Sequence, residues 1–103
     1  MRDRLLLHEK LVGILGSRNV YFQPPVNIKL SYPCIVYKRN VIDAEYADNS
    51  KFMKSQSYQV TLIYSDPDST LPEKLFTSLD FCSANTPTYV ADNLYHDVFT
   101  VYW

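Results

Sequence analysis

The side chains that could do chemistry in this chain are few and scattered. Its two histidines are His8 and His96. His96 precedes Asp97, but neighbours in an extended strand point to opposite faces, so the pair cannot converge on one site. There is no His-x-x-x-His and no His–Cys cluster, the patterns that hold zinc. Nucleophilic catalysis needs a Ser or Cys against a positioned His and a third orienting group, and no local segment supplies that set. Asp66, Asp68 and Ser69 are spaced a little like calcium ligands, yet the glycine and the final glutamate of an EF-hand loop are missing. Turn formation and helix entry are expected there instead. Asp43, Glu45 and Asp48 could act as an acid–base pair; with Lys51 and Lys54 close behind, a solvated hairpin or an intersubunit salt-bridge rim fits better. Cys34 and Cys82 stand far apart, outside any Cys-x-x-Cys pattern, and are expected to be reduced, packed hydrophobes. Gly13 and Gly16 are the only glycines, which excludes a Gly-rich phosphate loop. No catalytic residue, metal or cofactor is expected.

The tyrosines are the feature that calls for an explanation. Nine Tyr, five Phe and one Trp make the chain 15% aromatic. A core built from 103 residues is too small to hide Tyr21, Tyr32, Tyr37, Tyr46, Tyr58, Tyr64, Tyr89, Tyr95 and Tyr102 together. Either most are half-buried on one sheet face, or some serve protein contacts, where tyrosine brings rigid area and a polar tip. Stacking on single-stranded nucleic acid would need a basic groove. Ten basic and eleven acidic residues, net charge −1, do not suggest one. The length suits one domain, 1–103. The hydrophobic fraction, 47%, excludes general disorder, and no apolar run approaches the ~20 residues of a membrane span. The leucines after Met1 stop at His8-Glu9-Lys10, too short for a signal-peptide core, so synthesis in the cytosol is expected.

The elements that must position these residues read as follows. Residues 3–15 form a helix, with Leu7, Leu11, Ile14 and Leu15 on one stripe and Gly16 at a left-handed cap. Leu5, Leu6 and Val12 widen that stripe, so the helix is deeply packed or also meets a partner. Residues 19–23 are a short strand ended by Pro24-Pro25. Residues 34–39 are a strand apolar on both faces, hence central. Residues 57–64 carry the clearest period-2 pattern: Tyr58, Val60, Leu62 and Tyr64 share one face, Gln59, Thr61 and Ile63 the other. The polar stretch between these strands makes a long projecting hairpin with turn chemistry at Ala47-Asp48-Asn49-Ser50. Thr70-Leu71-Pro72-Glu73 matches a capping box before a helix at 71–79. Residues 81–84 and 88–91 are one interrupted strand or two short ones, and Asp92-Asn93 turns into a final strand. A strand finishing on Val101-Tyr102-Trp103 is expected to be docked, on its own core or on a neighbour. The order predicts an α+β fold: a mainly antiparallel sheet, two helices on one face, and the projecting hairpin.

Taken in order, several segments resemble a known group. They are Val20-Tyr21-Phe22-Gln23-Pro24-Pro25, Tyr32-Pro33-Cys34-Ile35-Val36-Tyr37, Tyr46-Ala47-Asp48-Asn49, Tyr58-Gln59-Val60-Thr61-Leu62-Ile63, Asp66-Pro67-Asp68-Ser69 and Asp92-Asn93-Leu94-Tyr95-His96-Asp97-Val98-Phe99. The set is similar to tail terminator, or tail completion, proteins of long-tailed bacteriophages. That resemblance implies a non-enzymatic virion assembly protein of the neck. Such proteins form a six-membered ring that caps the tail tube, stops its growth and joins it to the head connector or stopper. It implies a place at the tail–neck junction, after assembly in the host cytoplasm, with DNA only as passing cargo and no membrane partner. A subunit or tube interface is then expected at Tyr46, Asp48, Asn49, Lys51 and Lys54 on the hairpin and at Tyr102 and Trp103. The alternatives are a head-completion or stopper protein of the neck, or a small intracellular binding module.

Overall fold

A computed structural model describes residues 3–40, 43–47, 50–80, 82–84 and 88–103. Helix α1 (Arg4–Leu15) starts where Asp3, in extended backbone, accepts a hydrogen bond from the Leu5 N–H at 2.9 Å. It stops at Gly16, whose φ of 80° and N–H bond to the Val12 carbonyl make a left-handed cap. Leu7, Leu11, Ile14 and Leu15 are its buried residues, the expected stripe. Leu5 and Leu6 do not join it; they are 58% and 61% exposed.

Strand β1 (Val20–Phe22) pairs in parallel with β2 (Cys34–Arg39). The rest of the sheet is antiparallel. β2 pairs with β5 (Ser57–Tyr64), and β5 with β8 (Leu94–Tyr102). Two short strands, β6 (Cys82–Ala84) and β7 (Tyr89–Ala91), line the far side of β8, one along each half. The order is β1-β2-β5-β8-β6, with β7 also on β8. Asp92 and Asn93, both at positive φ (53° and 62°), form the tight β7–β8 turn, a geometry that Asp and Asn tolerate. Strands β3 (Asp43–Ala47) and β4 (Ser50–Ser55) pair with each other in a separate two-stranded sheet.

Alternation in β5 decides which sheet face becomes the core. Tyr58, Val60, Leu62 and Tyr64 are all buried, and across the ladder they meet Ile35 and Tyr37 of β2 and Phe99 and Val101 of β8. Leu7 and Leu11 of α1 close this face together with Leu75 of helix α2 (Leu71–Ser78) and Leu79 just past its end. Each such side chain contributes about 1.5–3 kcal/mol by leaving water. The molecule is therefore α+β, a mostly antiparallel sheet packed by two helices.

One local expectation is corrected. Thr70 takes a helical conformation, and its side chain makes no capping bond. Ser69 caps instead, its Oγ accepting from the Leu71 N–H at 3.2 Å. Asp66 organises the preceding turn by accepting from the Asp68 N–H at 2.9 Å. Two consecutive side-chain turns thus stand where the reciprocal box was expected, because Thr70 already has helical backbone and its hydroxyl is not turned to the Glu73 N–H.

Candidate interaction surfaces

The expected interface residues fall into two groups. Tyr46 lies on β3 and Lys51 on β4, at facing register positions; Lys54 faces Ala44. Asp48 and Asn49 lie outside the described residues. At the other site, Tyr102 is 44% exposed on the last strand. Trp103 folds back on its own chain: its ring packs against the core, its backbone N–H bonds the Gln56 carbonyl at 3.0 Å, and its indole N–H bonds the Asp3 carbonyl at 2.9 Å. The two C-terminal aromatics therefore do different work, Trp103 tying the last strand to the start of α1 and Tyr102 facing outward.

The tyrosines divide in the same manner. Tyr37, Tyr58 and Tyr64 are core residues, while Tyr32, Tyr89 and Tyr102 are exposed. Tyr89 stacks on His96 across the β7–β8 ladder, with ring centroids 4.7 Å apart and planes 10° apart. His96 is thus placed by a ring contact on the face away from the core, and its Nδ1 lies 3.1 Å from the Leu94 carbonyl.

Two buried polar clusters escaped the sequence reading. Asp97, 7% exposed, accepts from the Tyr64 hydroxyl at 2.8 Å and from the Thr88 hydroxyl. Burial above all, and then the carboxylate, push the Tyr64 phenol up to about 12. The signal was available: Asp97 shares strand parity with Tyr95, Phe99 and Val101, so it had to face inward. The second cluster surrounds the buried Tyr37 hydroxyl. Arg4 donates to it at 3.0 Å, and His8 Nδ1 shares a hydrogen bond with it at 2.7 Å. Burial, and next the Arg4 charge, lower the His8 pKa. Arg4 also lies over the Phe22 ring, 4.2 Å from its centroid.

The thiols are apart, both free. Cys34 is buried, which pushes its pKa up to about 11, and burial raises that of Cys82 as well. Among the described residues no group of three or more His, Cys, Asp or Glu could hold a metal, and no helix is long and apolar enough to cross a membrane.

The sheet face opposite the helices carries the alternate residues. Val36, Thr61 and Val98 form a row across β2, β5 and β8; Lys38, Gln59 and Thr100 form the next. At the β2 end of this face is an open groove of about 550 Å³, lined by Gln23, Pro24, Val36, Lys38, Gln59 and Thr61 among others. Gln23 builds its rim from a left-handed backbone (φ 44°): its N–H bonds the Tyr37 carbonyl at 2.9 Å, and its Oε1 accepts from the Arg39 N–H at 3.1 Å. The one ion pair among the described residues is Arg18–Glu9 at 3.3 Å, so Lys38, Arg39, Asp66 and Asp68 have no salt-bridge partner there.

No family model, curated protein or solved structure matches this chain.

Proposed function

We propose that this chain is a structural subunit of the neck of a long-tailed bacteriophage, a tail terminator that forms a ring on the end of the tail tube. It acts by surface contact, with copies of itself, with the tube protein and with the connector or stopper on the head side, and not by catalysis. A six-membered ring is the form the resemblance implies. Its place is the tail–neck junction of the virion, reached from the host cytoplasm.

The observation that supports this reading best is an insertion. Strands β2 and β5 pair directly, and between them the chain departs to make the separate β3–β4 sheet. The core does not need that excursion, since Asn40 N–H already bonds the Ser57 carbonyl at 3.0 Å and closes the ladder behind it. A polar arm on an α+β body is what a ring subunit uses to reach its neighbour or the tube. The overall dimensions, 49 × 26 × 24 Å, are those of a body extended in one direction. Exposed Leu5, Leu6 and Tyr102 add apolar and aromatic surface suited to contact with other chains.

The test adds purified protein to the tube protein of the same phage during polymerisation, followed by electron microscopy. Shortened tubes with a ring on one end are expected. Replacing residues 41–55 by a two-residue turn is expected to leave a folded domain that no longer caps. Unchanged tube lengths with the full-length protein overturn the proposal.

A further inference from the structure

Two surfaces of this chain carry opposite charges that have no salt-bridge partner among the described residues. The first is the groove on the open sheet face. Lys38 projects there beside Gln59 and Thr61, three hydrogen-bond donors around a floor that includes Val36 and Pro24. The second is the turn Asp66-Pro67-Asp68 between β5 and α2, exposed at all three residues. One oxygen of Asp66 is used by the Asp68 N–H, which fixes the turn and leaves the Asp68 carboxylate facing water.

Register sets these surfaces at opposite ends of the sheet. Lys38 lies across from Gln59, near the start of β5, whereas Asp66 follows the end of β5 at Tyr64. The seven residue steps from Gln59 to Asp66 span roughly 20 Å at strand spacing, so the charges cannot meet within one molecule. Between two copies they can. A contact that joins different patches of the same chain either repeats head to tail, closing into a ring or running on as a filament, or pairs reciprocally across a two-fold axis; the ring reading selects the head-to-tail form.

We infer that the Lys38 groove receives the Asp66-Pro67-Asp68 turn of a neighbouring copy, with Asp68 against the Lys38 ammonium and the Gln59 and Thr61 donors, and Pro67 over the apolar floor. This rests on the ring reading above and names the surfaces that would join its subunits. The charges oppose, the turn is preformed, and the donor set suits a carboxylate. The contact forms and breaks with ionic strength, because both charges stand at the surface.

A zero-length carbodiimide cross-linker tests it directly, since it joins an amine only to a carboxylate already in contact. A mixture of ¹⁴N- and ¹⁵N-labelled protein at low salt is expected to yield mixed-isotope peptides joining Lys38 to Asp68 or Asp66. Lys38→Glu and Asp68→Lys should each weaken self-association about tenfold in sedimentation experiments, and the two variants mixed should recover it. Absence of those cross-linked peptides overturns the inference, as does a stable two-fold dimer. Sensitivity to Lys38→Glu without sensitivity to Asp68→Lys also overturns it, and would mean that another anion occupies the groove. Tube capping by the charge variants separates the outcomes: variants that lose the cross-link yet still cap tubes defeat this contact and leave the terminator reading standing. Loss of capping activity in the unmodified protein defeats that reading alone if the cross-link persists.

Discussion

The buried pair Tyr64–Asp97 should give this domain a distinctive alkaline instability. Tyr64 is 7% exposed and donates to Asp97 at 2.8 Å; the carboxylate also takes the Thr88 hydroxyl. Burial first, and the carboxylate second, push the phenol up to about 12, whereas an unfolded tyrosine ionises near 10. Between those values the unfolded chain has released a proton that the native chain still holds. Stability is therefore fully present below about pH 10 and is lost as pH rises toward about 12. Two pH units correspond to about 3 kcal/mol, a large share of the roughly 5–15 kcal/mol that holds a domain folded. Tyr64→Phe should cost about 1–2 kcal/mol near neutrality and remove this alkaline loss. Asp97→Ala leaves two hydroxyls without their acceptor and should cost about 2–4 kcal/mol. The assay is urea unfolding followed by circular dichroism, near pH 8 and near pH 11, for both variants and the double variant. The difference between wild type and Tyr64→Phe isolates this group, since Tyr37, whose pKa burial also raises, is common to both. Equal alkaline losses in the two proteins, or strictly additive costs in the double variant, would refute the reasoning.

Three further outcomes follow from the same geometry. The His8 pKa is lowered by burial and by Arg4, so stability should be full above about pH 6.5 and fall as acid protonates the unfolded chain first; His8→Asn, which keeps a hydrogen-bonding group beside Tyr37, should flatten that fall in acid unfolding curves. Ser69→Ala should cost about 1 kcal/mol through loss of the α2 cap, while Thr70→Ala should change the urea midpoint little. Trp103→Ala should lower stability by about 2–3 kcal/mol, since it removes core packing and the bond to Asp3, whereas Tyr102→Ala should leave the melting temperature within a few degrees and act on association alone.

Legibility differed from element to element. The helix at Arg4–Leu15 was readable because its apolar spacing and Gly16 agree, and β5 because Tyr58, Val60, Leu62 and Tyr64 recur at every second position. β2 could be placed in the interior, since it is apolar on both faces. The α2 cap was misassigned because Thr70-Leu71-Pro72-Glu73 satisfies a pattern that backbone geometry then denied it. Leu5 and Leu6 left two readings open, deep packing or a partner contact, and the helix offers its core only one stripe, outside which both lie exposed. Among the expected contact residues, strand parity sets Trp103 with Phe99 and Val101 and Tyr102 on the other face; only folding showed that the Trp103 ring reaches back to Asp3.

What the amino-acid order alone determined is local: periodicity, turns and the parity of each strand residue depend on neighbours a few positions away. It thus settled the two helices, the central strands, the Asp92-Asn93 turn and the α+β class. Tertiary structure alone decided which residues meet across distance. It joined β1 to β2 in parallel, set β6 along β8, brought Arg4 and His8 to Tyr37, and buried Asp97 against Tyr64. Such meetings depend on the closure of long loops and on shared burial, and no window of sequence contains both partners.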